Sequence, residues 1–343
     1  MAWRRREIET ILESRLQQEF GETGVEYYAH YVDARTKVVD NILPQIKAIE
    51  ANLTDHSADH VGDVLDKAYR LIGGAEHKLE TAELYFLCLI ILFHDVGNIH
   101  GRRGHYDKRK IMEIYDFAVG THSKYAEERR LVALAAGAHS GLATNGTGDT
   151  MAELGDQTVG VLDQPIDIRS IAPILRLADE LAEGPHRTSD YMVMKGYFEA
   201  ASTVYHEYAQ ITNVVIDRGN GRIALTYNIN VECKDGQVPS SEVSRLEKLL
   251  TCAFHRVAKL NDERRYNKFY SVHLEPFTQT TVKFNFTINQ APIELGLNII
   301  RITDLRVPGA DSASIATHDP MYVVADIISE IKTRCPPATQ TTA

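Results

Sequence analysis

HDVGNIHGRRGH, residues His94 to His105, follows directly on the apolar run ELYFLCLIILF of residues 83–93. That run is about half the length a membrane span requires, so it reads as a helix buried in a protein core. A His-Asp pair at its end sets an imidazole and a carboxylate at an apolar border. Such a placement costs free energy unless both groups find partners. A hydrogen-bond network or a metal ion would supply them. Gly97 breaks the helix, and two arginines and two further histidines, His100 and His105, crowd into the residues that follow.

Helices are expected on both sides of this stretch. Ser57-Ala-Asp-His60 is a cap signature for a helix whose Val61, Val64, Leu65, Ala68, Leu71 and Ile72 recur at helical spacing, stopped by Gly73-Gly74. Thr81 is expected to cap the helix that ends at His94-Asp95. Two more are predicted from about Tyr106 to Val119 and from Lys124 to His139. A fifth runs from a Ser170 cap to Glu183, with Pro173 tolerated in its first turn. GLATNGTGDTMAELGDQTVG, residues 141–160, is rich in Gly and Thr and reads as a loop or mobile lid.

The texture changes after about Tyr205. ITNVVIDRGNGRIALTYNINVE carries β-branched runs around Gly219-Asn-Gly221, a hairpin signature. Pro239-Ser240-Ser241 opens a long helix to about Asn261. SVHLEPF, TTVKFNFTIN and LNIIRITDLRV are strand candidates, and MYVVADIISEIKT is a final amphipathic helix. The fold class is therefore α+β. A mainly helical domain covers residues 1–205, with its core at 56–190. A smaller α+β domain with an antiparallel sheet covers 206–335, and a disordered tail covers 336–343.

Composition bounds the partners. The chain has 343 residues, 44% hydrophobic and 24% charged, as in ordinary globular proteins. A net charge of −10 argues against wrapping duplex nucleic acid, which needs a broad basic surface. Cys88, Cys233, Cys252 and Cys335 lie far apart without a CxxC pair, which suits reduced thiols in a cytosol better than a disulfide framework. The opening MAWRRREIETILESRLQQEF lacks the apolar core of a signal peptide. A soluble cytoplasmic protein with no membrane contact is expected.

The chain holds 14 histidines, so position rather than number must select the functional ones. His60 lies in a first helical turn at the border of an apolar face. His94 and Asp95 finish an apolar helix, and His105 starts the next. His139 ends a helix with Leu131, Val132, Leu134, Ala135 and Ala138 on one face. Asp179 sits within ILRLADELAEG. Singly, each has a bland explanation: an interior His donating to a carbonyl, or Asp179 pairing with Arg176 or Arg187. His56 is a weak substitute ligand, while His100 and His122 are expected in solvent. Together they form a set that core packing does not produce, since buried carboxylates need partners and a divalent ion satisfies carboxylates and neutral imidazoles at once.

This ordered set resembles the HD superfamily of metal-dependent phosphohydrolases, over about residues 56–190. The resemblance implies that His60, His94, Asp95 and Asp179 are primary metal ligands. It implies that His105 and His139 are the extra pair of two-metal members, in which Asp95 bridges. The mixed donor set suits Mn, Fe, Co, Ni or Zn, with Mg as an alternative, better than Ca. Two such ions would activate a water and neutralise phosphoryl oxygens, and Asp95 could accept a proton from the nucleophile. Many members read HDxGK where this chain has Asn98. Arg102 and Arg103 would then replace the missing charge by gripping phosphate oxygens, while Lys108 to Lys110 form a solvated face.

Walker, GxGxxG, GxSxG and zinc-ribbon motifs are absent. The GYP tripeptide of one branch of HD cyclic-dinucleotide phosphodiesterases is absent too. His186-Arg187-Thr188-Ser189 reads as a helix-terminal turn. The implied function is hydrolysis of a phosphoester or phosphoanhydride bond of a nucleotide or short nucleic acid. Alternatives are a nuclease or cyclic-(oligo)nucleotide phosphodiesterase, and a non-catalytic HD-type sensor or assembly module. The sheet edges and long helix of the second domain would suit a homo-oligomer.

Overall fold

The N-terminal helix α1 (Glu7–Lys37) bends at Gly21, whose φ of 57° lies in the left-handed region that glycine tolerates. In the computed structural model, which describes residues 3–50, 52–155, 158–304 and 315–337, α1 runs through a π-helical turn at Val38–Ile42 into α2 (Leu43–Ile49). The helices α3 (Ala58–Ile72), α4 (Thr81–Phe93), α5 (Lys108–Val119) and α6 (Ala126–Gly137) follow. A short hairpin, β1 (Thr158–Val161) and β2 (Gln164–Asp167), leads into α7 (Ile168–Leu181).

Local sequence explains most boundaries. Ser57 accepts from the Asp59 amide to open α3, and Gly73 closes it with φ 111°. Glu80, not Thr81, caps α4, through a reciprocal pair with Glu83. Asp107 caps α5, two residues after the expected start. The cap of α7 is Asp167 rather than Ser170, with its carboxylate accepting from the Arg169 and Ser170 amides. That shift puts Pro173 inside the helix instead of in its first turn. Part of the Gly- and Thr-rich stretch is ordered as a 3-10 turn at Met151–Leu154 and as β1. Asp156 and Gln157 lie outside the described residues.

All of α4 except Glu83 is buried, and it packs against α1, α6 and α7. Thr81–His100 is apolar enough to attract attention, with mean hydropathy 1.5, but 89% of it is buried inside the protein. It packs as a core segment of the first unit.

Two compact units result. The first comprises residues 1–182 and 266–276, the second 183–265 and 277–343. The division thus falls at Ala182–Glu183, ahead of the compositional change near Tyr205. The second unit contains α8 (Asp190–Lys195), α9 (Ala200–Ile211), β3 (Thr212–Asp217), β4 (Arg222–Val231) and most of α10 (Ser240–Tyr270). It continues with β5 (Gln279–Ile288), β6 (Ala291–Ile293), β7 (Ile300–Thr303), α11 (Ile315–His318) and α12 (Val324–Thr333).

The sheet is mixed. The hairpin β3·β4 and the pairs β5·β6 and β5·β7 are antiparallel as expected. The central pair β4·β5 is parallel over ten residues, Arg222↔Gln279 to Val231↔Ile288. A parallel pair needs a long crossover, and α10 provides it. This helix extends past Asn261 because Arg264, fully buried, bonds Thr280, the Phe277 carbonyl and Asn261. SVHLEPF is not a strand: Leu274 and Phe277 are buried at a spacing of three, around a 3-10 turn at Val272–Leu274. Residues 305–307 of LNIIRITDLRV and 338–343 of the tail lie outside the described residues.

Cys233 and Cys335 form a disulfide with Cα atoms 6.1 Å apart, against the expectation of unpaired thiols. The end of β4 and the end of α12 bring together cysteines 102 residues apart, a proximity that sequence spacing does not carry. Cys88 and Cys252 are free.

Candidate metal centre

Five elements of the first unit bring the selected residues together. His60 is the third residue of α3, His94 and Asp95 follow the last turn of α4, His105 precedes α5, His139 follows α6, and Asp179 lies near the end of α7. One group of four, His60, His94, Asp95 and Asp179, has ligand atoms within 4.8 Å of one another, and so does a second group of Asp95, His105 and His139. Asp95 belongs to both.

The two carboxylate oxygens of Asp95 divide the centre. Its Oδ2 lies 3.2 Å from His94 Nε2, 3.6 Å from His60 Nε2 and 3.8 Å from His56 Nε2. Its Oδ1 lies 3.8 Å from His139 Nε2 and accepts from Asn98 Nδ2 at 2.9 Å. Asp179 Oδ1 closes the first half, 3.2 Å from His60 Nε2 and 3.7 Å from His94 Nε2. It therefore faces these histidines rather than an arginine. Arg176 instead donates to Thr150 Oγ1 at 2.9 Å.

The imidazoles are oriented by a repeated device. Nδ1 of His94, His139 and His105 lies against the carbonyl three residues earlier, of Ile91, Ala136 and Arg102. Nδ1 of His56 lies against the Thr54 carbonyl. A carbonyl only accepts, so each of these Nδ1 atoms carries a proton, and in the neutral rings of His94, His139 and His56 the Nε2 lone pair faces Asp95, the orientation a metal ligand needs. His60 Nδ1, His60 Nε2 and His94 Nε2 are buried without a hydrogen-bond partner. Lone pairs facing carboxylate oxygens call for a cation between them, so this donor set fits a divalent metal.

Protonation follows the same geometry. Burial opposes charge on His94, but Asp95 and Asp179 outweigh it and hold its pKa well above the ordinary value. Burial also works against ionised Asp95 and Asp179, yet the imidazoles around them keep both well below the carboxylate range. Burial, reinforced by His94, lowers His139 to about 4.

Glycine sets the spacing between the two halves. A Cβ on Gly97 would lie 2.2 Å from the His105 carbonyl oxygen, so the HDVG turn touches the His105 backbone directly. Only glycine permits that approach. His105 Nε2 accepts from Ser140 Oγ at 2.6 Å. Ser140, Gly97 and the role of Asn98 escaped the sequence reading. Each is adjacent to, or within three residues of, a selected ligand, which is the signal that could have found them.

The arginines stand differently. The Arg102 side chain is exposed, its amide donates to Glu50 Oε1 at 3.0 Å, and its carbonyl accepts from His105. The Arg103 side chain lies outside the described residues. His100 and His122 are exposed, as expected. Ser189 caps α8, and Pro185–Arg187 forms a 3-10 turn.

An HD-type domain with this His/Asp cluster is consistent with a metal-dependent hydrolase. A family model described as HD-CE matches residues 50–250, more than half of the chain. No curated protein and no solved structure matches it. By that match and the centre it encloses, the chain belongs to the HD-CE family.

Proposed function

We propose that the protein is a two-metal phosphohydrolase that cleaves a phosphoester or phosphoanhydride bond of a nucleotide. The observation that carries this reading is the division of Asp95: Oδ2 faces His60, His94 and His56, whereas Oδ1 faces His139. A carboxylate so placed is suited to bridging two ions. His60, His94, Asp95 and Asp179 would hold one, and Asp95, His105 and His139 the other. Bound divalent transition ions, Mn, Fe, Co, Ni or Zn, acidify water and neutralise phosphoryl oxygens.

The chain's own contribution is orientation. Carbonyl-held Nδ1 protons aim the Nε2 atoms inward, and Asn98 fixes the rotation of the Asp95 carboxylate. Asn98 thus serves the bridging group, where many HD proteins carry a phosphate-assisting lysine. Arg102, exposed and three residues before His105, would be the cation that meets substrate phosphate. The net charge of −10 favours a small nucleotide over a polymer.

The test is a hydrolysis screen of nucleoside phosphates, cyclic nucleotides and single-stranded nucleic acid, with Mn, Mg, Ni or Zn added to metal-free protein. Metal-dependent release of phosphate or nucleoside monophosphate from the small substrates is expected. No turnover with any ion, in protein that binds none by elemental analysis, would overturn the reading.

A further inference from the structure

We propose that strand β3 is a docking edge for a second copy of this chain, with the two β3 strands antiparallel about a two-fold axis and Val215 opposite Val215 of the second copy. This edge belongs to the second unit and uses none of the metal-centre residues.

The two edges of the five-stranded sheet are built differently. On the β5 side the edge is shared by β6 and β7, three and four residues long. Pro292 sits at the centre of β6 with no N–H to offer, and β7 carries exposed Arg301. Short strands, proline and exposed cations are the usual guards against pairing with another chain. None of them protects β3. It has six residues, Thr212–Asp217, with no proline, glycine, lysine or arginine. Its register with β4 is unbroken, so no bulge turns the edge away. Among the described residues no strand other than β4 pairs with it. Val215 is 56% exposed, and Val214 and Ile216 are partly exposed. Three β-branched aliphatic side chains thus stand on an open edge.

What selects a second copy is the order of these side chains. A two-fold axis perpendicular to the sheet makes the two strands antiparallel and keeps corresponding faces on the same side. Residues directly opposite share a face, so the register must be centred on a residue and not between two. Only two such registers pair five residues of the strand, those centred on Val214 and on Val215. Centring on Val215 sets Val215 against Val215, Val214 against Ile216, and Asn213 against Asp217. Apolar meets apolar on both faces, and an amide meets the carboxylate that already accepts from Arg222 Nε at 2.7 Å. Centring on Val214 instead sets Asn213 against Val215 and Thr212 against Ile216. The strand therefore matches itself, like against like, in the first of these registers, and the two five-stranded sheets would continue into one another.

The experiment uses the full-length chain in sedimentation equilibrium across micromolar concentrations. The unsubstituted protein should sediment at twice the chain mass. Val215→Lys sets two ammonium groups opposite each other and should weaken the dimer roughly ten-fold or more, with circular dichroism and metal content unchanged. A second pair of variants reads the register. Val215→Cys should cross-link the two copies when oxidised glutathione is added, beyond any background in the unsubstituted protein. Asn213→Cys should not, because its counterpart lies about 14 Å away along the strand. Cross-linking through a side chain close to valine in size does not depend on how the lysine variant folds. A monomer at every concentration, a dimer unaffected by Val215→Lys, or faster cross-linking through Asn213→Cys would each overturn the proposal.

Discussion

Among the described residues of the first unit, the buried carboxylates Glu128 and Asp95 both meet histidine, and the two environments differ. Glu128, 4% exposed, accepts from Tyr85 Oη at 3.0 Å, from Tyr115 Oη, and lies 3.0 Å from His30 Nε2. Burial, then Glu128 itself, raises the pKa of both tyrosines, so they stay protonated donors. Two hydroxyls and, with the proton on Nε2, the His30 ring meet its oxygens. Asp95 has four rings around it, and those of His94, His139 and His56 have already given their Nδ1 protons to carbonyls. Asn98 donates one hydrogen bond to it, and where the three rings are neutral their Nε2 lone pairs face its oxygens. The same residue types thus build a closed network in one place and a cation socket in another. What separates them is where the ring protons point.

The contrast can be broken in four ways, from the largest effect downward. Asp95→Ala combined with His94→Ala removes the bridging oxygen and one ring, so bound metal and metal-dependent hydrolysis should both vanish. Thermal unfolding should then no longer respond to added metal, because the native state has lost its ligand. Retained metal by elemental analysis would dissolve the distinction. Glu128→Ala should do the reverse: metal content stays, and denaturant unfolding shows a loss of about 3–5 kcal/mol, the usual cost of breaking a buried charged network by removing one member. A fall in metal content in a variant that is still folded would mean that Glu128 supports the centre.

Gly97→Ala separates the two halves of the socket. The new Cβ would displace the His105 carbonyl, so affinity at the position formed by Asp95, His105 and His139 should drop roughly ten- to a hundred-fold, with the other position retained. Calorimetric titration showing equal weakening of both steps would contradict this. The smallest effect is electrostatic. In metal-free protein the His139 ring should stay neutral down to about pH 4, while His94 holds its proton well above the ordinary imidazole range. The folded pKa of His139 is depressed, so its contribution to stability is present above about pH 6.5 and is lost as pH falls toward 4. Ring nitrogen shifts followed by NMR read both residues. His139 titrating at the ordinary value would mean that its pocket is wet.

Much of the centre was legible because its residues sit at punctuation marks: a helix start at His60, helix ends at His94 and His139, and an acidic residue on the apolar helix α7. Periodicity identifies those borders, and a charged group on an apolar border demands an explanation. The helical first unit followed by a sheet was legible for the same reason. Hidden were contacts made by small or neutral groups. Gly97 matters for the atom it lacks, Asn98 for a bond to a carboxylate three residues back, and the His56 ring for a carbonyl. None changes hydrophobic pattern or charge. The parallel β4·β5 pair was hidden because strand direction depends on how α10 crosses over, not on composition. The helix is expected to end at about Asn261, yet Arg264 beyond that point is among the most buried side chains.

The discontinuity of the first unit has a consequence in time. Asp149, in the Gly- and Thr-rich stretch, accepts from Tyr270 Oη at 2.7 Å and from Tyr266 Oη at 3.0 Å, and both tyrosines belong to the returning segment 266–276. During synthesis, the candidate ligands from His60 to Asp179 are all made well before these tyrosines exist. At roughly 5–20 residues per second the interval is on the order of ten seconds. The nascent chain therefore has its complete set of candidate metal ligands while the loop beside His139 still lacks its clasp. An ion can enter a socket whose neighbouring loop is fastened only afterwards.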